Sequence, residues 1–261
     1  MPVDITAELL ASVVGRLRVA GCVFAEDEAR LVIEAASTEA ELDALVGRRV
    51  GGEPLEVIVG WAEFAGLRVL VDAGVFVPRR RTEFLVEQAA RRGRPGTVVL
   101  DLCCGTGALG LALLATLGRA ELHAVDLDPV AVRCARRNLE PTGGRVYHGD
   151  LYQPLPVELR GRVELLLVNA PYVPTLEIQF MPAEARLAEP LLALDGGPDG
   201  VAVQRRVIAE APRWLAPGGN LLIETSQRQA ALTAAALDQV GLSVEVASSP
   251  ELDCIAVIGT R

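Results

Sequence analysis

The spacing of apolar positions changes period twice along the chain. In residues 1–50, Leu10, Val13, Val14 and Leu17 share one helical face, and Thr38 with Glu41 forms a capping box on a further helix that Gly47 is expected to close. From Leu55 to Val77 the period becomes two, with runs such as Leu67 to Val71 punctuated by Gly60, Gly66 and Gly74; this predicts a hairpin ended by Pro78. Beyond Thr82, expected to cap a helix, strand-like runs (Thr97 to Leu102, Leu122 to Asp126, Val146 to Gly149, Val163 to Val168, Asn220 to Glu224) alternate with helical segments, the pattern of a parallel sheet. Ser243 to Ala247 and Cys254 to Ile258 follow each other with no helix between them, so an antiparallel C-terminal hairpin is expected to close the sheet. The fold class is therefore α/β, a doubly wound Rossmann-like sheet with a small N-terminal helical domain. Its expected divisions are 1–50 (helical), 51–82 (hairpin linker) and 83–261 (main domain).

Composition narrows the chemistry. The chain has 261 residues, 51% of them hydrophobic, which excludes disorder and supports a full core without disulfides. Its net charge is −9, so no broad basic face is expected and direct nucleic-acid binding is disfavoured. All 25 basic residues are arginine, which removes Schiff-base chemistry and a P-loop lysine. Five cysteines, Cys103 and Cys104 adjacent, do not form a secreted framework, and His123 and His148 alone do not suggest a metal site. The longest apolar run, near Leu109 to Leu117, is too short to span a membrane. A cytoplasmic monomer with no metal and no membrane partner is expected.

The segment Asp101-Leu-Cys103-Cys-Gly105-Thr106-Gly107-Ala-Leu-Gly110 follows a strand and opens a helix, so bare backbone can approach a ligand at the helix N-terminus. With Asp126 ending the next strand, the spacing fits either a dinucleotide or another nucleoside cofactor. Asp101 favours the second: a carboxylate before the glycines repels a pyrophosphate, whereas S-adenosylmethionine is cationic at its amino group and sulfonium. Alternatively, Asp101 caps the loop backbone. Asp126 is placed to accept from both ribose hydroxyls, and Leu127 follows it in the same crevice. Asp150 and the Leu151 N–H are candidates to border the adenine, while Asp128-Pro129 reads as a helix cap. Cys103 and Cys104 read as small loop residues, since no base is placed beside them.

Asn169-Ala170-Pro171-Tyr172 follows the apolar run Leu165 to Val168 and so sits beside the same crevice. A planar nitrogen is a poor nucleophile because its lone pair is delocalised. Two acceptors, the Asn169 side-chain oxygen and the carbonyl of residue 170, can hold its N–H protons, aim it at a methyl donor and favour the developing positive charge, with Tyr172 packed on the planar group.

The tetrapeptide resembles the Asn-Pro-Pro-Tyr motif of methyltransferases acting on glutamine amides or adenine amino groups. With Gly74-Val-Phe-Val-Pro-Arg-Arg-Arg-Thr-Glu83 and the block from Glu189-Pro190 to Gly196-Gly197-Pro-Asp199-Gly200, the chain resembles the HemK/PrmC family of protein glutamine methyltransferases. The resemblance implies a class I methyltransferase sheet, S-adenosylmethionine as cofactor, and a protein acceptor such as a peptide release factor or a ribosomal protein. It also implies that the N-terminal module recognises the acceptor and that Phe76 and Pro78 help line its pocket. Ala170 replaces the motif's first proline, Arg80-Arg81 the usual Pro-Glu, and Glu224-Thr-Ser the usual Glu-Ile-Gly. The run Arg79 to Arg81 reads as a solvated face or a contact for an acidic or RNA-associated partner. Competing readings are an adenine amino methyltransferase acting on nucleic acid and a noncatalytic cofactor-binding scaffold.

Overall fold

A computed structural model describes residues 6–181, 186 and 188–261. Four helices open the chain: α1 (Ala7–Val19), α2 (Ala25–Ala35), α3 (Glu39–Val50) and the short α4 (Leu55–Val59). Val13, Leu17, Val32, Ile33, Val46 and Ile58 bury one another in a core confined to these helices. At its edge Arg49 Nε donates to Glu28 at 2.6 Å. Thr38 caps α3 as expected, but Glu41 reaches back to the N–H of Ser37, and Gly47 does not close the helix, which runs to Val50. The residues Leu55 to Val59, expected as strand, are helical: Pro54 starts a turn whose Ile58 joins the helical core, and Gly60 in the left-handed region ends it.

The hairpin β1 (Trp61–Phe64) and β2 (Leu67–Leu70) follows. Asn138 ties it down, accepting from Leu70 N at 2.9 Å and donating to the carbonyls of Leu70 and Thr106 at 3.0 and 2.9 Å. Next come α5 (Glu83–Ala90), β3 (Thr97–Leu102), α6 (Ala108–Leu117), β4 (Ala120–Asp126), α7 (Pro129–Leu139), β5 (Arg145–His148) and β6 (Val163–Val168). The chain continues through α8 (Leu191–Leu194), α9 (Ala202–Trp214), β7 (Leu215–Thr225), α10 (Ala230–Gln239), β8 (Ser243–Ser249) and β9 (Cys254–Thr260).

The large sheet has the order β5-β4-β3-β6-β7-β9-β8, parallel from β5 to β7 and antiparallel over the last hairpin. Alternate side chains of each central strand feed opposite faces. Val99, Leu165, Leu167 and Leu222 pack with Leu85, Leu113 and Leu139 of α5, α6 and α7. Leu100, Leu166, Val168, Leu221 and Ile223 pack with Val207, Ile208 and Leu237 of α9 and α10. Both faces being covered, these strands read as continuous apolar runs. The hairpin enters in reverse chain order because Cys254–Thr260 is apolar enough for an interior position, while the more polar Ser243–Ser249 suits the edge. Among the described residues, no helix is long and apolar enough to cross a membrane.

Candidate functional site

Because β3, β4, β5 and β6 are parallel and in register, their carboxyl ends open along one edge of the sheet, with Leu102 beside Val125 and Val168 and Asp126 beside His148. The loops leaving those ends surround a cavity of about 390 Å3, within the range of small-ligand sites. Its lining includes Phe76, Pro78, Cys103, Gly105, Thr106, Asp126, Leu127, Asp150, Leu151 and the whole of Asn169 to Tyr172. Two residues chosen from sequence, Asp101 and Gly107, are not in that lining.

Asp101 lies beneath the loop. It is fully buried; its Oδ2 accepts from Gly110 N at 3.1 Å, while Oδ1 has no partner in the structure. Burial, and secondarily the charge of Asp126, pushes its carboxyl up to about 7 despite the Gly110 bond. It therefore acts on the backbone of the first turn of α6, the capping alternative, rather than on the cavity surface. Gly107 shapes the loop: it has φ 78°, and a Cβ there would stand 2.8 Å from Leu139 Cδ1. The loop closes through Cys104 N to Val125 O at 3.1 Å and Gly107 N to Cys104 O at 2.7 Å. Burial raises the thiols of Cys103 and Cys104, which keeps both protonated and unsuited to nucleophilic work.

Asp126 joins two loops, accepting from Gly105 N at 2.8 Å and Asp128 N at 2.9 Å. Each oxygen retains lone-pair capacity toward the cavity. Burial raises its carboxyl, and those backbone donors counter the shift. Asp128 caps α7 by accepting from Val130 N at 2.8 Å, with Pro129 at the first helical position. Asp150 pairs with Arg206 of α9 at 2.5 Å, and Leu151 beside it takes a left-handed φ of 51°.

The tetrapeptide is held from three sides. The Asn169 Nδ2 donates to Thr82 Oγ1 at 3.4 Å, and the Tyr172 carbonyl accepts from Gln229 Nε2 at 2.7 Å. Arg81 Nη2 donates to the Tyr172 hydroxyl at 2.6 Å. Thr82 thus stands at the start of α5 without capping it by its side chain; its hydroxyl accepts from Asn169 instead. Burial raises the Glu224 carboxyl, opposed by Thr82, Arg81 and Tyr172, and burial likewise pushes the Tyr172 phenol up to about 12.

The arginine run is largely solvated, with Arg80 and Arg81 exposed, yet it also reaches inward: Arg79 pairs with buried Glu189 and Arg81 with Glu224 at 3.4 Å. Arg79 also lies 5.2 Å from the centre of the Phe76 ring. Arg81, Glu189, Arg206, Gln229 and Glu224 were not chosen from the sequence as site residues. Glu224 carried a usable signal, an acid ending the apolar run Leu221 to Ile223 as Asp126 ends β4. The others become neighbours only through chain crossings.

The family model described as methyltransferase small domain matches residues 66–197, half of the chain. The release factor glutamine methyltransferase of Deinococcus radiodurans is 36% identical over 92% of this chain and 92% of its own length. That of Geobacter sulfurreducens is 40% identical over 71% of this chain, which spans 65% of that relative. A Streptomyces pristinaespiralis protein named 4-amino-L-phenylalanine/4-methylamino-L-phenylalanine methyltransferase is 37% identical over 78% of this chain and 72% of its own. A methyltransferase crystal structure from Pyrococcus furiosus shares the fold, with TM-score 0.56 at 17% identity, covering 75% of this chain and 89% of that one. A sheet-edge cavity behind a glycine loop, the Asn-Ala-Pro-Tyr segment on its wall and identity of this extent to full-length relatives establish that the chain belongs to the HemK/PrmC family of methyltransferases.

Proposed function

We propose that this protein transfers a methyl group from S-adenosylmethionine to the side-chain amide nitrogen of a glutamine in a protein acceptor, a peptide release factor. The observation that carries this reading is the orientation of Asn169. Its Nδ2 donates to Thr82 Oγ1 at 3.4 Å, which leaves Oδ1 to accept, and Asn169 and Ala170 both line the cavity that Asp126 and the glycine loop also line. A pair of acceptors suits the two N–H protons of a primary amide.

Asp126 and the loop backbone around Gly105 are assigned to hold the nucleoside, and Asp150 with Leu151 to border its base. When bound, the cofactor supplies an electrophilic methyl group on a sulfonium. The acids lining the cavity complement that charge, and Asp101 supports the loop from below. Asn169 and the residue 170 carbonyl strengthen their hydrogen bonds as the attacking nitrogen becomes positive, so they stabilise the transition state more than the ground state. Tyr172 packs on the planar amide, and proton loss to water can follow transfer. Phe76 and Pro78 are assigned to the acceptor side of the pocket. The N-terminal module, residues 1–50, is assigned to recognition of the acceptor protein.

One observation favours a second reading, a small aromatic amine as acceptor: the Streptomyces pristinaespiralis relative is named for such a substrate. Nucleic acid fits less well, given the net charge of −9. Labelled methyl transfer separates these readings, using an unmethylated bacterial release factor and a cell extract as acceptors and testing the label for protease and nuclease sensitivity. Asn169→Ala is expected to abolish nearly all transfer while leaving cofactor affinity unchanged. Protease-sensitive label that maps to glutamine supports the proposal; label confined to small molecules or nucleic acid, or undiminished in Asn169→Ala, overturns it.

A further inference from the structure

The tetrapeptide separates the glycine-loop cavity from a second cavity of about 780 Å3, and Arg81 and Tyr172 line both. The second cavity is bounded by Glu224, Ser226, Ser248 and Cys254. The wall between them is a continuous hydrogen-bonded network. Arg81 donates from Nη2 to the Tyr172 hydroxyl at 2.6 Å and from Nε toward Glu224 Oε1 at 3.4 Å. The Tyr172 hydroxyl faces the same Glu224 oxygen at 3.5 Å, and the guanidinium lies 6.0 Å from the centre of the Tyr172 ring. Thr82, the next residue along the chain, accepts from Asn169 Nδ2 at 3.4 Å, so Arg81 and Thr82 together adjoin the last and first residues of the tetrapeptide.

Arg81 places a cation beside a buried acid. The Glu224 side chain is only 2% exposed and its Oε2 has no partner, whereas Arg81 reaches it from a side chain 43% exposed. The family pattern carries an acid at 81 as well as at 224, so the arginine here is a departure that exchanges one of two carboxylates for their counter-charge. The guanidinium fork contacts a carboxylate and a phenol together. A tyrosine ring held only by packing can tilt about its Cα–Cβ bond, but one whose hydroxyl is fixed at the far end cannot do so without breaking that bond.

We propose that Arg81 is a positioning residue that clamps the Tyr172 phenol to Glu224 and thereby fixes the aromatic face against which the acceptor's planar nitrogen group packs. The catalytic half of this assignment rests on the acceptor reading above; the clamp itself does not. Arg81 acts through Tyr172, so its removal lowers turnover without loosening the cofactor, which is assigned to Asp126 and the loop backbone around Gly105 and not to Arg81.

The test uses full-length protein labelled with 13C on tyrosine rings. The chain has three tyrosines, and Tyr172→Phe identifies the Tyr172 signals. Arg81→Ala is expected to shift and broaden the Tyr172 ring resonances while leaving those of Tyr147 and Tyr152 in place. With release factor and labelled S-adenosylmethionine, kcat is expected to fall on the order of 10-fold, with cofactor affinity within about 2-fold of wild type. Arg81→Lys, which keeps the charge but not the fork, recovers part of that loss and serves if the alanine variant does not fold. In a Tyr172→Phe background Arg81→Ala adds no further loss, because no phenol remains to clamp. Unmoved Tyr172 resonances, or a loss that persists in full in the Tyr172→Phe background, overturn the proposal. If wild type methylates no release factor, the acceptor reading fails while the ring spectra still decide the clamp.

Discussion

Gly200 is the position where a single methyl group tests how the tetrapeptide is held. It has φ 77°, and a Cβ there would stand 1.9 Å from Gln229 Nε2 and 2.4 Å from the Tyr172 carbonyl oxygen. Gly200→Ala therefore forces the Gln229 amide out of its seat, where it donates to Tyr172 O at 2.7 Å and Asp199 O at 3.1 Å. The left-handed conformation costs about 1–2 kcal/mol for a residue with a Cβ. Two lost hydrogen bonds at about 0.5–1.5 kcal/mol each bring the total to roughly 2–5 kcal/mol. At roughly 2–4 °C per kcal/mol for a chain of this size class, Tm is expected to fall by at least about 4 °C. Gly241→Ala is the control: its φ is 79°, but a Cβ there has nothing within 4 Å, so it isolates the backbone term. Displacing the Tyr172 carbonyl also moves the acceptor site, and a shift of about 1 Å is enough to cost on the order of 100-fold in kcat. Calorimetry of S-adenosylmethionine should register little change, since Gly200 does not line the cavity. Thermal melts and turnover of both variants decide the matter: Gly200→Ala indistinguishable from Gly241→Ala in Tm and kcat would refute the argument that Gln229 and Gly200 together seat the tetrapeptide.

Asp126→Ala removes the carboxylate that receives Gly105 N and Asp128 N, and with it the proposed ribose acceptors. Affinity for S-adenosylmethionine is expected to weaken by about 1.5–3 kcal/mol, the range for hydrogen bonds to a charged group, and calorimetry showing equal affinity would remove Asp126 from the site. Asp101 predicts a pH dependence. Its folded carboxyl holds a proton up to about 7 against an ordinary 3.8, so the native state binds more protons between those values. Its contribution is fully present below 3.8 and is lost as pH rises toward about 7. In urea titrations without cofactor, wild type should therefore lose stability across that window relative to Asp101→Asn; parallel stability curves would contradict the assignment.

Much of the fold was legible because local pattern and tertiary environment agree. The runs Thr97 to Leu102 and Val163 to Val168 are apolar at nearly every position because each face of the sheet is covered by helices, and such runs announce interior parallel strands. The glycine loop, Asp126, Asp150 and Asn169 to Tyr172 were legible as one group because parallel strands bring successive carboxyl ends to one edge. Leu55 to Val59 was misread as strand because five residues cannot separate the two periods; Pro54 and the docking of Ile58 on the N-terminal helices decide for helix. Gly47 was misread as a helix end because glycine signals a stop only where the chain turns left-handed, and here packing carries α3 on to Val50.

By itself, then, the order of residues determined the alternating architecture, the antiparallel close, the glycine loop at a strand end and the Asn169 to Tyr172 segment at another, since each is written in neighbours a few positions apart. The tertiary structure alone decided which charges the site contains. Arg79 finds Glu189 across 110 residues and Arg81 finds Glu224 across 143, pairings that make two members of a largely solvated run part of the wall. It also decided that Asp101 serves the loop from beneath and that Thr82 serves Asn169 rather than its own helix. The physical reason is the same in each instance: a polar side chain takes the partner that burial makes most costly to leave unsatisfied, and burial is settled only when distant segments pack.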